Sequence, residues 1–153
     1  MQHHHTNIAR ITKNGAVIYE NPQSTEVIQP AEREHLSIEN IYQFANEVPL
    51  ADITPFTQRQ IACNMAIAEE GLRGDWGANI GSVLLNAYGD TVFNRAKAYA
   101  AAGSDARMSG CEMPVVINSG SGNQGMTASL PVIVYARDMG VSEEMLYRAL
   151  VVS

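Results

Sequence analysis

The sequence predicts an α+β fold that is mostly α-helical, with a β-hairpin at its N-terminal edge. Two β-prone runs, residues 7–13 and 16–20, flank Asn14-Gly15, a dipeptide typical of a two-residue type I′ hairpin turn. Farther along the chain, apolar residues recur at i, i+4, i+7 and i+11, the spacing of one buried helical face: Ile61, Met65, Ala68 and Leu72. A hairpin is marginally stable alone, so we expect it to need another surface or further strands.

The first two helices are predicted from capping residues and prolines. Ser37 is a good N-cap for a helix that runs to about Val48, and Pro49 ends it. Thr54-Pro55 is expected to open the second helix, since proline is tolerated at the first helical position. We expect this helix to be broken by the glycines at 71, 74 and 77.

Four more helices complete the prediction. Residues 78–88 form a third helix, weakened by glycine, and residues 90–108 a fourth, whose many small side chains let neighbouring helices approach closely. A fifth helix is expected from residue 123 to about 139, with Pro131 as a point where it can kink. Ser142 is a good N-cap for the last helix.

Composition excludes several functional classes. Hydrophobic residues make up 46% and charged residues 17%, so the chain is globular and not disordered. A formal charge of −6 argues against nucleic acid as a partner, because phosphate binding needs a basic face. The N-terminus has no apolar h-region, so we expect no signal peptide, and no apolar run reaches the roughly 20 residues that a membrane helix requires, so we expect no membrane partner. Two cysteines do not predict a disulfide framework, so we expect a cytoplasmic protein.

A loop of small residues precedes the fifth predicted helix. Its glycines let the backbone come close to a ligand, and its polar side chains offer donors and acceptors. Unpaired N–H groups in the first turn of the following helix hold carboxylates and phosphates well. The loop therefore predicts a site for a small anionic substrate, near Cys111, formed by Ser119, Gly120, Ser121, Gly122, Asn123, Gln124 and Gly125.

Three segments carry a resemblance to a known family: GCEMPVVINSGSGNQGMTASLPVI at 110–133, CNMAIAEEGL at 63–72 and HTNIARI at 5–11. They resemble the α part of iron–sulfur L-serine dehydratases, a group that includes the PLP-independent L-cysteine desulfidases. The resemblance runs along nearly the whole chain. It implies α,β-elimination from a small L-amino acid, either L-cysteine to sulfide, ammonia and pyruvate, or L-serine by deamination.

The resemblance also implies a [4Fe–4S] cluster, with Cys111 as one ligand. The competing interpretation is a buried free cysteine that acts as a small hydrophobe. Related serine dehydratases carry a cysteine inside the small-residue loop, whereas residues 118–125 here have none, which favours the desulfidase branch. Cys63, on the second predicted helix, is interpreted as a core residue. Because a cluster needs several thiolates, we expect this chain alone to hold none.

The general base is less well determined by the sequence. His5 belongs to the HTN segment of the resemblance and is the candidate catalytic residue, the alternative being a surface or strand-capping histidine. His3 and His4 are left undecided between native residues and a tag. Four other titratable side chains are interpreted as solvated or surface charges: His35, Glu69, Glu70 and Glu112.

Both ends of the chain look truncated, since the first strand has no lead-in and the last helix ends on Leu150-Val-Val without a Gly or Asn cap. We therefore divide the chain into residues 1–20, the hairpin edge of a preceding domain, and residues 21–153, an incomplete helical domain like the serine dehydratase α part. The apolar surface exposed by truncation predicts self-association.

Two other functions are considered. The chain could be a non-catalytic helical scaffold that positions the loop while other domains or subunits supply the chemistry. A nucleotide-binding module is the weaker alternative, because the loop has no lysine and does not match the G-x-x-x-x-G-K-[ST] pattern.

Overall fold

The structure is a computed structural model that describes residues 8–21 and 35–153. The chain divides into two compact units, Met1–Ser37 and Ile38–Ser153. The predicted domain limits, 1–20 and 21–153, stay a prediction, since residues 22–34 lie outside the described part.

The first unit contains the predicted hairpin. Strand β1 (Arg10–Lys13) pairs antiparallel with β2 (Ala16–Glu20). Asn14 and Gly15 have φ angles of 50° and 82°, the left-handed pair of a type I′ turn. Ile11 pairs with Tyr19 and Thr12 with Val17, so Ile18 is the extra residue of a β-bulge.

The second unit is helical, which confirms the predicted fold class. Its helices in the described part are α1 (Ile38–Glu47), α2 (Leu50–Arg73), α3 (Ile80–Tyr88), α4 (Val92–Met108), α5 (Gly122–Met139) and α6 (Glu143–Val152). Helix α4 packs on α2, α3 and α5, whereas α6 packs on α1, α2 and α5. None of these helices combines the length and the apolarity needed to cross a membrane.

Helix α2 begins five residues before the predicted first position, Pro55. Pro49 is its N-cap and Leu50 its first residue, so Pro55 lies inside the helix and not at the first position. Pro55 cannot donate the backbone hydrogen bond of its position, and its ring crowds the carbonyl four residues earlier. The prediction was wrong because the long buried face of a 24-residue helix outweighs the disruption at one proline.

The predicted break at Gly71 is also wrong. The helix continues to Arg73, and Gly74 is its C-cap. Gly71 is buried where α2 meets α4, and an added Cβ would overlap the carbonyl oxygen of Ala102. Its role is therefore close helix packing. A Cβ on Gly81 of α3 would likewise overlap the carbonyl of Ala98, which agrees with the close packing predicted for α4.

The other helix ends follow local signals. The hydroxyl of Thr91 accepts a bond from the N–H of Asn94 at the start of α4. Ser142 caps α6 as predicted, since its Oγ accepts from the N–H of Met145 at 3.3 Å. Helix α5 begins one residue before the predicted position and contains Pro131.

The hydrophobic core lies among α2, α4, α5 and α6 and includes Ile67, Met126, Leu130, Ile133 and Leu150. Of the predicted α2 stripe, Met65 and Ala68 are buried, while Ile61 and Leu72 are half-buried. The same helix also buries three polar side chains that the apolar pattern did not indicate: Thr57, Gln60 and Asn64.

Candidate functional site

Cys111 is positioned by the end of α4. Gly110 has a φ of 91°, and its N–H donates to the carbonyl oxygen of Arg107 at 3.2 Å. The N–H of Cys111 donates to the carbonyl oxygen of Ala106 at 3.0 Å. This bond pair is the Schellman motif, for which glycine is the usual residue. Cys111 is half-buried and packs against the core. Its position is compatible with both predicted roles, a ligand and a small hydrophobe.

Residues 111–117, between α4 and α5, belong to no helix or strand, and no neighbouring strand in the described part pairs with them. Amide side chains of α2 bond this segment instead. The N–H of Val116 donates to Oδ1 of Asn64 at 2.9 Å, and Nδ2 of Asn64 donates to the carbonyl of Val116 at 3.2 Å. One turn earlier, Nε2 of Gln60 donates to Oδ1 of Asn118 at 2.8 Å. Side chains of α2 thus hold the approach to the predicted substrate loop.

The predicted substrate loop is split into an exposed turn and a buried helix start. Ser119 and Gly120 are exposed, and Gly120 alone among the loop's three glycines has positive φ, at 88°. Ser121 is the half-buried N-cap of α5, and its side chain makes no capping bond. The first three loop residues therefore face the surface that a ligand would approach.

The remaining loop residues belong to the first turn of α5. Gln124 is exposed, whereas Gly122 and Gly125 are buried. An added Cβ would meet the Arg107 guanidinium and Val115 at Gly122, and would overlap the carbonyl of Val116 at Gly125. These two glycines therefore permit tight packing of the chain on itself, a role that the sequence interpretation had not separated from ligand approach.

Arg107, in the last turn of α4, is a candidate residue that the sequence interpretation missed. Its Nη1 donates to Oδ1 of Asn123 at 2.9 Å, which places a guanidinium beside the first turn of α5. That turn carries no acidic side chain. Positive charge from Arg107 therefore adds to the positive end of the helix dipole. The only sequence signal was an arginine three residues before Gly110, and the contact with Asn123 could not be seen from it.

The other predicted titratable residues are exposed, bonded to other side chains or outside the described residues. His5, His3 and His4 fall outside the described residues. His35, Glu69 and Glu112 are exposed. Glu70 accepts from Arg73 and, at 3.2 Å, from Nε1 of Trp76, and these bonds lower the pKa of its carboxyl below the ordinary value. Glu70 therefore stays ionised and is a weak base.

The donor set for a metal is small. Cys63 is half-buried on α2 and Cys111 follows α4; both are free thiols. Across residues 8–21 and 35–153, no group of three or more His, Cys, Asp or Glu side chains is arranged to hold a metal ion. These residues alone do not fit a four-iron cluster, which requires several thiolates.

A cavity of about 650 Å³ lies elsewhere, between α1 and α6, and is lined by residues that include Tyr42, Met145, Arg148 and Val152. Arg148 there donates to the carbonyls of Ala45 and Asn46 at 2.7 and 2.9 Å. These bonds satisfy backbone carbonyls at the C-terminal end of α1, so the role of Arg148 is structural. The candidate site is the open surface around Ser119–Asn123.

Comparison with known proteins gives a family match. The model of the serine dehydratase alpha chain family matches residues 8–153. A UPF0597 protein of Desulfitobacterium hafniense is 55% identical over 151 residues, which cover 98% of this chain and 35% of that protein. UPF0597 proteins of Lachnoclostridium phytofermentans and Finegoldia magna are 52% and 44% identical, each over 97% of this chain and 36% of its own length. The chain thus spans about a third of these curated relatives. No solved structure matches it.

Proposed function

The chain belongs to the serine dehydratase alpha chain family, and on that premise we propose that it supplies the substrate-carboxylate site of an amino-acid lyase. The proposed reaction is α,β-elimination from a small L-amino acid. L-Cysteine loses its α-proton and its sulfur as sulfide, and water then converts the resulting aminoacrylate to pyruvate and ammonia. L-Serine, which loses its hydroxyl group in the same way, is the alternative substrate.

The observation that carries the proposal is the position of Arg107 beside the first turn of α5. The guanidinium has five N–H donors, and within the described residues its Nη1 bonds Asn123 and contacts Met108 Sδ. A carboxylate at this turn would meet the arginine charge, backbone N–H groups of the helix start and the Ser121 hydroxyl. Three independent sources of positive potential or donors thus converge on one small surface.

Four of the loop residues have distinct parts in this arrangement. Gly120, with open space around its α-carbon, lets the turn bend without a side chain above it. Ser119 and Ser121 supply hydroxyl donors. Asn123 orients Arg107 through the 2.9 Å bond, so it acts on the substrate through the arginine.

The family resemblance implies an iron–sulfur cluster as the Lewis acid of the reaction. Cys111 stays a proposed ligand, but the described residues do not complete such a site, so its partners would have to come from outside them. The proposed base, His5, also lies outside the described residues.

The test is an assay of the full-length protein for pyruvate and sulfide formed from L-cysteine, and for pyruvate formed from L-serine. We expect Arg107→Gln to raise KM by about tenfold or more, since a charged hydrogen bond contributes about 1.5–3 kcal/mol. Arg137→Gln is the matched control, because Arg137 lies in the last turn of α5, at the opposite end of that helix from the proposed site. Absence of turnover of both amino acids by protein prepared anaerobically would contradict the proposal and favour the scaffold interpretation.

A further inference from the structure

Asn64 has three hydrogen bonds in the interior, although it lies in the middle of an apolar helix face. Two join it to the backbone of Val116, and the third runs from its Nδ2 to Oγ of Ser129 at 3.0 Å. Ser129 in turn donates to the carbonyl of Gly125 at 2.7 Å. Both side chains are fully buried. A buried amide is expensive unless its donors and acceptors are paired, and this one is paired with the segment before the loop.

The spacing of the two amides on α2 matches the spacing of their partners. Gln60 and Asn64 are one turn apart, a rise of about 6 Å. Asn118 and Val116 are two residues apart, so the chain between them can span a similar distance, up to about 6.6 Å. The side chains of α2 thus take the place of a neighbouring strand for this segment.

The opposite side of the same segment is closed by α5. An added Cβ on Gly125 would overlap the carbonyl oxygen of Val116, the same oxygen that accepts from Asn64. Val116 is therefore held between α2 and the first turn of α5. The turn at Ser119–Ser121 follows three residues later and ends at that helix, so its position depends on this clamp, the hold of Asn64 on α2 and Gly125 on α5 on Val116.

We propose that Asn64 is a positioning residue: by fixing Val116 it sets the Ser119–Ser121 turn against the start of α5, and thereby sets the affinity for the amino-acid carboxylate. The identity of that ligand rests on the proposed function. Asn64 itself lies in the interior and acts only through the segment that it holds.

The chain offers variants that separate this role from a general loss of stability. Asn64→Leu keeps the approximate size and removes both bonds to Val116. Ser129→Ala removes the third bond of Asn64 and leaves both bonds to Val116 in place. Leu150→Ala weakens the core from α6, which makes no bond to the segment. If Asn64→Leu does not fold, Gln60→Leu breaks the bond to Asn118 from a less buried position.

The experiment combines hydrogen–deuterium exchange of residues 112–121 with KM and kcat for L-cysteine and L-serine, in the full-length protein. Asn64→Leu should speed exchange in this segment and raise KM, each by about tenfold, with a smaller change in kcat. Gln60→Leu should change both quantities in the same direction. Ser129→Ala and Leu150→Ala should leave KM within about twofold of the unsubstituted protein.

Two results would overturn the inference: unchanged exchange and KM in Asn64→Leu, or an equal rise of KM in Leu150→Ala. If the unsubstituted protein turns over neither amino acid, the proposed function fails. In that case the exchange measurement by itself tests whether Asn64 holds the segment around Val116, and unchanged exchange in Asn64→Leu shows that it does not.

Discussion

Ser121 combines extended backbone angles, φ −141° and ψ 137°, with a hydroxyl that does not cap its own helix. The common fate of a serine at this position is a bond to the second or third N–H of the helix. Because that bond is absent, the hydroxyl and the helix N–H groups can both donate to a ligand. Arg107 and Asn123 add charge and orientation to the same turn.

Removal of either side chain from this turn should weaken substrate binding. Ser121→Ala or Asn123→Ala in the full-length protein should raise KM for L-cysteine or L-serine, because a bond to a charged group contributes about 1.5–3 kcal/mol. Iron content, measured in parallel, should stay the same. Variants with normal KM that lose iron would assign the loop to cluster support and contradict the substrate role.

The Glu70 carboxyl predicts a local pH dependence. Its pKa lies below the ordinary value of 4.5, first because Arg73 donates to it and second because Trp76 does. Because the pKa is lower in the folded state, ionised Glu70 stabilises the folded protein at pH values above its unfolded-state pKa. This contribution to the free energy of unfolding is lost as the pH falls below about 4.5. Arg73→Ala should move the pKa of Glu70 upward in an NMR titration, because the largest cause of its lowered pKa is removed. An unshifted Glu70 would show that the bond is not made in solution.

Gly71 links the sequence of α2 to its packing on α4. Gly71→Ala would gain about 1 kcal/mol of helix propensity, but its Cβ would overlap the carbonyl of Ala102. We expect a net loss of about 1–3 kcal/mol in the free energy of unfolding, as for other overpacked sites. Urea denaturation of the 153-residue chain measures it, with the exposed Lys97→Ala as control. Stabilisation by Gly71→Ala would contradict the close approach of the two helices.

Local signals predicted the elements that depend on local contacts. Asn14-Gly15 and Ser142 each determine a turn or a cap within a few residues, so the hairpin and α6 followed from sequence. Pro55 and Gly71 misled because tertiary packing outweighs a single weak position in a long helix. The partners of Asn64 and Arg107 are 52 and 16 residues away, so no local pattern could reveal the clamp or the charge beside α5.

The molecule as a whole supplies two free thiols, Cys63 on α2 and Cys111 in the segment after α4. We therefore expect the 153-residue chain, after anaerobic reconstitution with iron and sulfide, to bind no stoichiometric [4Fe–4S] cluster. Iron analysis and the absorption spectrum measure this, with the full-length protein as the comparison. Four irons per chain would contradict the account, unless analytical ultracentrifugation showed one cluster shared between two chains.

The proposed role of the start of α5, with Arg107, is to bind the carboxylate of a small L-amino acid. A crystal structure of the full-length protein with L-serine bound would show where that carboxylate lies. We expect a carboxylate oxygen within about 2.7–3.2 Å of a backbone N–H in the first turn of α5, with the Arg107 guanidinium on the same group. The proposed site would be contradicted if the carboxylate of L-serine bound elsewhere and other parts of the protein covered the Ser119–Asn123 surface.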